Sequence, residues 1–539
     1  MKFLPLNLKA FIAGILSLSF LLLSGCATAP KTVSIQERRD LINQDHIAIQ
    51  KEVKPVGSHL GFHEAVARAL KYNLDYRAKM MEEAIALGTE QLSNYDMLPK
   101  VVANAGYNYR DKDFVTKAKD SVTGQPSLSN PYINSDKSYG TTNLNLSWNV
   151  LDFGVSYFNA KQNADRILVA SERRRRTMHV LVQDVQAAYI RAASAQKLKV
   201  DILRTIHDAN EALDNSKKTE KEGVKSPLDA LRYQKSLLDN IKILETIDQE
   251  LSSAIIELNQ LTNIPPNNIY ELDDPDKIAV PQSHANRSIE EFEVRALISN
   301  ADLNESIYNT RIAIQETHKS MLKLFPNLNF MVSPQASDNS YWINKNWVES
   351  SASVSFNLWN VLMLPTTKKL ADQNQELAKQ KRAMVQMAVI SQVYLAKMQL
   401  ISIEELYKRS ADIDHVDTEI SKIISIKEKE GAASKAERVA ADASMILSKL
   451  RKYQALSQLF AASGKMQATV GLEPSIGSLP AIELDELTRI VGSSFEDWNT
   501  GHFPDLKEVR DIQAKEGSQS KNNPNDKPSF FRKWFMKGD

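Results

Sequence analysis

The 539-residue sequence contains a single cysteine, Cys26, so no disulfide can form within the chain. It has almost no charge imbalance: 67 Lys plus Arg against 66 Asp plus Glu leave a net charge of +1. No bulk basic field therefore argues for nucleic acid as a partner. Beyond the N-terminus there is no run of about 18 apolar residues, so no spanning helix is expected. If the mature chain crosses a membrane, it must do so with strands. The sequence also lacks a nucleophile elbow, a P-loop and a dinucleotide fingerprint, so no catalytic residue, cofactor or enzymatic activity is expected. His59 and His63 have i,i+4 spacing but straddle a glycine-containing helix start with no further Cys or His nearby. That spacing alone does not make a zinc site, and no metal is expected.

What the sequence does contain is a repeat. Trp148-Asn149-Val150-Leu151 recurs as Trp359-Asn360-Val361-Leu362. Upstream, Arg68-Ala69-Leu70 maps onto Arg295-Ala296-Leu297. The same ungapped shift of 227 positions pairs Asn73 with Asn300, Asp75 with Asp302, Ser93 with Ser320 and Pro99 with Pro326. By Trp148 and Trp359 the shift has fallen to 211, so the first copy carries 16 extra residues. They fall within 111–140, which is rich in turn residues and reads as an exposed loop. Later, Glu222-Gly223 pairs with Glu430-Gly431. One register held over so long a stretch points to a structural unit written twice.

The first residues read as a processing signal, with Lys2 and Lys9 ahead of an apolar core from Phe11 to Leu23. The following Leu23-Ser24-Gly25-Cys26 resembles the bacterial lipobox. The resemblance implies that Cys26 is acylated and begins the mature chain. Ala27 in place of Asp favours the outer membrane.

Four segments alternate with period two. Val101, Ala103, Ala105, Tyr107 and Tyr109 alternate with Val102, Asn104, Gly106 and Asn108; Leu144, Leu146, Trp148 and Val150 with Asn143, Asn145, Ser147 and Asn149. In the second copy Leu328, Phe330 and Val332 alternate with Asn329, Met331 and Ser333, and Ala352, Val354, Phe356 and Leu358 with Ser351, Ser353, Ser355 and Asn357. Membrane barrels have this pattern, apolar outward and polar toward the lumen. Tyr107, Tyr109, Trp342 and Trp359 suit interfacial girdles. Trp148 and Trp359 fall on different parities, which predicts a one-residue offset, such as a bulge, between the copies. Four strands are too few for a barrel, whose smallest membrane forms have about eight. Three copies of the chain would supply twelve.

Proline is also missing for the 69 steps from Gly154 to Gly223. A continuous helix there would be about 100 Å long, and 363–431 predicts a partner. Leu181, Val185, Ala188, Ala192, Ala195, Lys199, Ile202, Ile206, Ala209 and Leu213 step 4-3-4-3, a heptad seam broken only by lysine. Shorter helices are predicted over 62–97, 227–264, 289–324 and 434–470. Two of these placed end to end nearly match one long helix.

Taken together, these motifs resemble the TolC family of outer-membrane efflux and secretion ducts. The resemblance rests on the opening helix from Leu60-Gly61-Phe62, on Leu98-Pro99 and Phe325-Pro326 before the strands, and on the return strand entering a long helix at Trp148. It rests also on the turns at Gly223-Val224-Lys225-Ser226-Pro227 and Gly431-Ala432-Ala433-Ser434. The resemblance implies a mainly α fold with membrane β. Two repeats of long coiled-coil helices, each with two strands, would assemble as a homotrimeric twelve-stranded barrel on an α-helical periplasmic tunnel. It implies a lipid-anchored outer-membrane protein that docks through tip glycines Gly223 and Gly431 onto a periplasmic adaptor and an inner-membrane pump. Asp229 and Glu437 become candidate carboxylates at the periplasmic entrance, where like charge can favour cations; a helix-start carboxylate stabilised by the helix dipole is the simpler account. The tip flanks, Lys-Glu-Gly-Val and Lys-Glu-Gly-Ala, depart from the family's hydrophobic form, so the resemblance does not fix which adaptor binds.

The organisation expected is a signal peptide at 1–25, an N-terminal segment at 26–57, repeats at 58–275 and 276–475, and a polar, largely disordered segment at 476–539 that ends in an aromatic-basic run. Arg173, Arg174, Arg175 and Arg176 point in nearly all directions around a helix, so they predict no single patch and a solvated face. The competing function is a structural or adhesive coiled-coil lipoprotein of the periplasm, with no pore. That reading leaves the alternating strands without a purpose.

Overall fold

The computed structural model describes residues 31–126, 130–222, 226–474 and 482–503. Cys26 and Gly223 lie outside them. The chain divides into two units, Met1–Pro55 and Val56–Asp539. The first contains helix α1 (Ile35–Glu52), whose first turn is capped by the Ser34 hydroxyl accepting from the Glu37 amide at 3.1 Å.

The second unit carries both repeats. The first runs through β1 (His59–Leu60), α2 (Phe62–Tyr72), α3 (Leu74–Tyr95), β2 (Lys100–Tyr109), the small pair β3 (Val115–Thr116) and β4 (Tyr132–Ile133), β5 (Ser138–Asn149), α4 (Val150–Lys221) and α5 (Pro227–Thr262). After β6 (Glu271–Leu272), the second has α6 (Ile289–Ser299), α7 (Ala301–Leu322), β7 (Asn327–Ser337), β8 (Asn346–Ser355), α8 (Trp359–Lys429) and α9 (Lys435–Val470). A last helix, α10 (Leu484–Thr500), packs against α2. The turn-rich insertion of the first copy is the β3–β4 region.

The long helices are 72 and 71 residues, about 105–110 Å at the helical rise. The predicted seam is buried at Leu181, Val185, Ala188, Ala192, Ala195, Ile202, Ala209 and Leu213. Ile206 is half-buried and Lys199 is exposed. Around it, Leu198 and Ile202 of α4 pack with Leu244, Ile247 and Leu251 of α5 and with Ile446, Leu450 and Tyr453 of α9. A second cluster joins Phe292 of α6, Val389, Val393 and Leu400 of α8, Leu459 and Met466 of α9, and Trp498 of α10. Burial of this apolar area supplies the main stabilisation, at about 25 cal/mol per Å².

The helices expected over 62–97 and 289–324 are each broken once, at Asn73 and Asn300. The break is the same in both repeats. The Asn73 side chain accepts from the Tyr76 amide at 3.0 Å, and that of Asn300 from the Leu303 amide at 3.1 Å, capping α3 and α7. Each amide group then donates onward, Asn73 to the Leu261 carbonyl at 3.1 Å and Asn300 to the Thr469 carbonyl at 3.0 Å. Both asparagines are buried. One side chain thus starts the descending helix and satisfies a carbonyl at the end of the ascending helix. Gly471 closes α9 with φ +73°, and a Cβ there would collide with the Ser299 carbonyl.

β2, β5, β7 and β8 form one antiparallel sheet in that order, with β2 and β8 at its open edges. Each strand pair keeps one register throughout, so no bulge separates the copies. The parity mismatch has another cause. In the first copy Trp148 and Asn149 end β5 and Val150 opens α4, whereas β8 ends at Ser355 and the whole second tetrapeptide is helical. Val150, Phe356 and Leu358, expected as strand residues, therefore lie outside the strands.

Candidate functional site

Three regions are candidates for function: the sheet, the turn between α8 and α9, and the polar junctions between the repeats.

In the sheet, residues directly paired across strands share a face. Val101, Leu146 and Val332 form one apolar row, Trp148, Phe330 and Ala352 the next, and Leu328 pairs with Val354. Trp148 and Phe330 stack with centroids 6.4 Å apart. The opposite face carries Asn104 paired with Asn143, Ser147 with Met331 and Ser351, and Asn149 with Asn329 and Ser353. Asn104 donates to Asn143 at 2.8 Å. The apolar face is the more exposed one: Leu144 and Leu146 are 47% and 41% exposed, while Asn143, Asn145 and Ser147 between them are half-buried. Ser333 is buried between the exposed Val332 and Pro334. This is the reverse of a sheet folded for water, which buries its apolar face. Aromatics mark both ends of the sheet. Tyr107, Tyr109 and Trp342 stand at the loop end, where Trp342 packs on Tyr139 and Trp347, and Trp359 stands at the helix end.

At the turn, Gly431 has φ +76° with nothing near its missing side chain. Its predicted role as a reversal residue is met by that backbone. Ser434 and Glu437 form a capping box: the Glu437 amide donates to the Ser434 hydroxyl at 3.2 Å, and the Ser434 amide donates to the Glu437 carboxylate at 2.7 Å. Asp229 lies exposed in the first turn of α5, at the position that Glu437 takes in α9. Just above, Arg438 reaches three acids: Asp208 of α4 at 2.6 Å, Glu428 of α8 at 3.1 Å and Asp442 at 2.9 Å. Lys435 adds Glu211 of α4 at 2.8 Å. The two coiled hairpins are therefore tied together near this turn. His207, Asp208 and Glu211 cluster closely enough to hold a cation, but Arg438 and Lys435 already satisfy the two carboxylates.

The arginine run sits where the repeats meet. Its four side chains go to four places, as the helix geometry predicts. Arg173 meets Glu305, Arg174 meets Glu83, Arg175 meets Glu172 and Glu473, and Arg176 meets Asp302. The expected solvated face is incorrect for Arg174 and Arg175, whose side chains are 26% and 12% exposed. Arg175 also donates to the Ser299 carbonyl at 3.2 Å. Burial pushes the Glu172 carboxyl up to about 7 against the pull of Arg175. Burial opposes ionisation of Glu473 too, but His179 and Arg175 outweigh it and hold that group near about 2.

No protein-family model matches the sequence, and no curated protein does. Solved structures do. The chain resembles a membrane protein from Pseudomonas aeruginosa with TM-score 0.60 and 13% identity, over 80% of this chain and 94% of that one. It resembles the CmeC outer membrane channel of Campylobacter jejuni with TM-score 0.59 and 11% identity, over 81% and 89%. The outer membrane protein VceC of Vibrio cholerae matches with TM-score 0.55 and 12% identity, over 76% and 96%. The fold is that of the TolC-like outer-membrane channels. At these identities the likeness shows the fold alone.

Within that TolC-like fold, sequence reading located the strands, the long helices and the Gly431 turn. It missed the Arg438 junction. The spacing of Arg438 and Asp442 signals a local ion pair, but nothing in one sequence says that Asp208, 230 positions away, completes it.

Proposed function

We propose that the protein is a passive duct of the outer membrane, closed by three copies of the chain and serving an efflux or secretion system. The observation that carries this reading is the inverted sheet. Its apolar face is exposed and its edges are open, with every residue of β2 exposed. Long unpaired apolar edges are an aggregation hazard in water. Lipid on one face and another copy at each edge remove that hazard.

The repeat supplies the rule for closure. Inside one chain β5 of the first repeat pairs with β7 of the second, and α4 packs on α7 and α9. Applying the same step once more sets β8 of one copy against β2 of the next, and α8 against the next copy's α3 and α5. Three copies then give twelve strands, above the minimum for a membrane barrel. Cys26 would anchor each chain by its acyl groups. The Gly223 and Gly431 turns would face a periplasmic adaptor and, through it, an inner-membrane pump that provides the energy. Asp229 and Glu437 would stand at the entrance.

The native mass of the protein purified from outer membranes in mild detergent tests the assembly. A trimer is expected; a folded monomer would leave four unclosed strands and return the coiled-coil lipoprotein. Leu146→Arg tests the lipid face. An arginine facing lipid costs about 2–4 kcal/mol near the midplane, so trimer yield in the membrane should fall sharply, and normal assembly of the variant would count against the duct.

A further inference from the structure

A cavity of about 630 Å³ opens between α2, α9, α10 and the segment that follows β6. Its volume lies within the range of about 300–1,000 Å³ usual for ligand pockets. The floor is aromatic. Phe62 packs on Phe460 and Phe495 with centroids 5.2 and 5.8 Å apart, and Trp498 completes it. Trp498 is buried and its indole N–H has no acceptor among the described residues. The rim is acidic, with Glu271, Asp273 and Asp274 against one lysine, Lys277. Asp273 is paired with His59 and Asp274 with Lys197, but Glu271 is exposed and forms no ion pair among the described residues. The proposed duct assigns no role to this cavity.

The chain itself leaves from this rim. Trp498 and Asn499 border the cavity, Gly501 ends α10 with φ +74°, and Phe503 folds back onto Trp498 at 5.3 Å. Beyond it lies Phe530-Phe531-Arg532-Lys533-Trp534-Phe535, four aromatics around two cations. We propose that the cavity beside α10 is the docking site of this segment of the same chain, residues 530–535, with its aromatics on the aromatic floor and its cations at the acidic rim. The composition matches on both counts, because aromatic faces attract cations as well as rings. The 26 intervening residues span at most about 90 Å, ample for a return to the rim. A tether of this kind keeps the segment at an effective concentration on the order of millimolar, so weak contacts suffice.

The test uses the full chain in outer membranes, with the photoreactive residue p-benzoylphenylalanine replacing Trp534. After irradiation, the crosslinked peptides are mapped by mass spectrometry. The principal adducts are expected on α10 and on the segment around Ala279 at the cavity mouth. Exposed Glu271→Lys should lower their yield roughly two- to fivefold, the scale of a single exposed charge contact, and added salt should do the same. Adducts confined to phospholipid, to another protein or to other faces of the chain would overturn the proposal, as would the absence of any adduct on the cavity. The readout does not depend on transport or on the number of copies, so it stands apart from the duct reading.

Discussion

The two long helices are copies of one element, and they live in different surroundings. α4 has buried residues from Ala160 to Leu213, along most of its length. α8 buries only Ala371, Val389, Val393, Ala396, Leu400, Asp414 and Ser421. The remainder is not uniformly polar. Leu377, Met384, Leu395, Met398, Leu406, Ile413 and Ile420 are all exposed, and α8 holds an 18-residue window apolar enough, by composition and length, to cross a membrane, though only 22% of it is buried. The difference comes from position. α4 is packed by α3 and α5 of its own repeat and by α7 and α9 of the other, while α8 receives α6, α7 and α9 on one side. An apolar face of this size on a soluble surface marks an interaction site. The lesson is that a duplicated element need not be stabilised twice within one chain, because the second copy's missing neighbours can come from another molecule.

Truncating one apolar residue in each long helix breaks this comparison most directly. Ile202→Ala empties a fully buried site in α4 and should cost about 2–5 kcal/mol of folding stability, read from the denaturant midpoint in detergent. Leu395→Ala on α8 should change that midpoint by no more than about 0.5 kcal/mol, yet shift the proposed trimer toward monomer on dilution. Equal loss of folding stability in the two variants would show that the α8 face is covered within the chain.

The junction between the repeats gives a smaller effect with a defined sign. Glu172 is held protonated up to about 7 in the folded chain, above its ordinary value near 4.5. Between those values the native state keeps a proton that the unfolded state has released, so stability falls as pH rises through the window. Glu473, held near about 2, acts the other way and loses its contribution as pH drops below about 4.5. Glu172→Gln should flatten the decline between pH 4.5 and 7, a difference on the order of 1–3 kcal/mol. An unchanged profile would mean that water reaches the Glu172 carboxyl.

Asn73→Ala and Asn300→Ala probe the symmetry of the repeats. Each removes a cap and a buried bond to a carbonyl, about 1–2 kcal/mol, and the two costs should agree. These residues also show where sequence reading stops. The apolar period runs through both asparagines without interruption, so each pair of helices reads as one. The break depends on a carbonyl about 170–190 residues away, at Leu261 or Thr469. The arginine run was legible as four diverging side chains, because that follows from helix geometry alone. Its burial was not, because Glu473 reaches Arg175 only through the fold. α10 was hidden by the polar composition of 476–539, although Leu487, Val491 and Trp498 bury one face of it. The four strands of the main sheet, by contrast, were legible except at their ends, since period two needs no distant partner to be recognised, while the helix starts at Val150 and Trp359 cut the alternation short.

The smallest expected change in stability separates two roles of one carboxylate. Glu437 completes the capping box with Ser434, and glutamine serves that box nearly as well as glutamate. Glu437→Gln should therefore move the unfolding midpoint by only a few tenths of a kcal/mol, a share of the helix-dipole contribution. If the same carboxylate belongs to a charged ring at the entrance, removing its charge in every copy should weaken cation preference in planar-bilayer recordings. Asp229→Asn, at the matching place in α5, should act in the same direction. Unaltered selectivity in both variants would leave these residues as helix starts and place ion discrimination elsewhere along the duct.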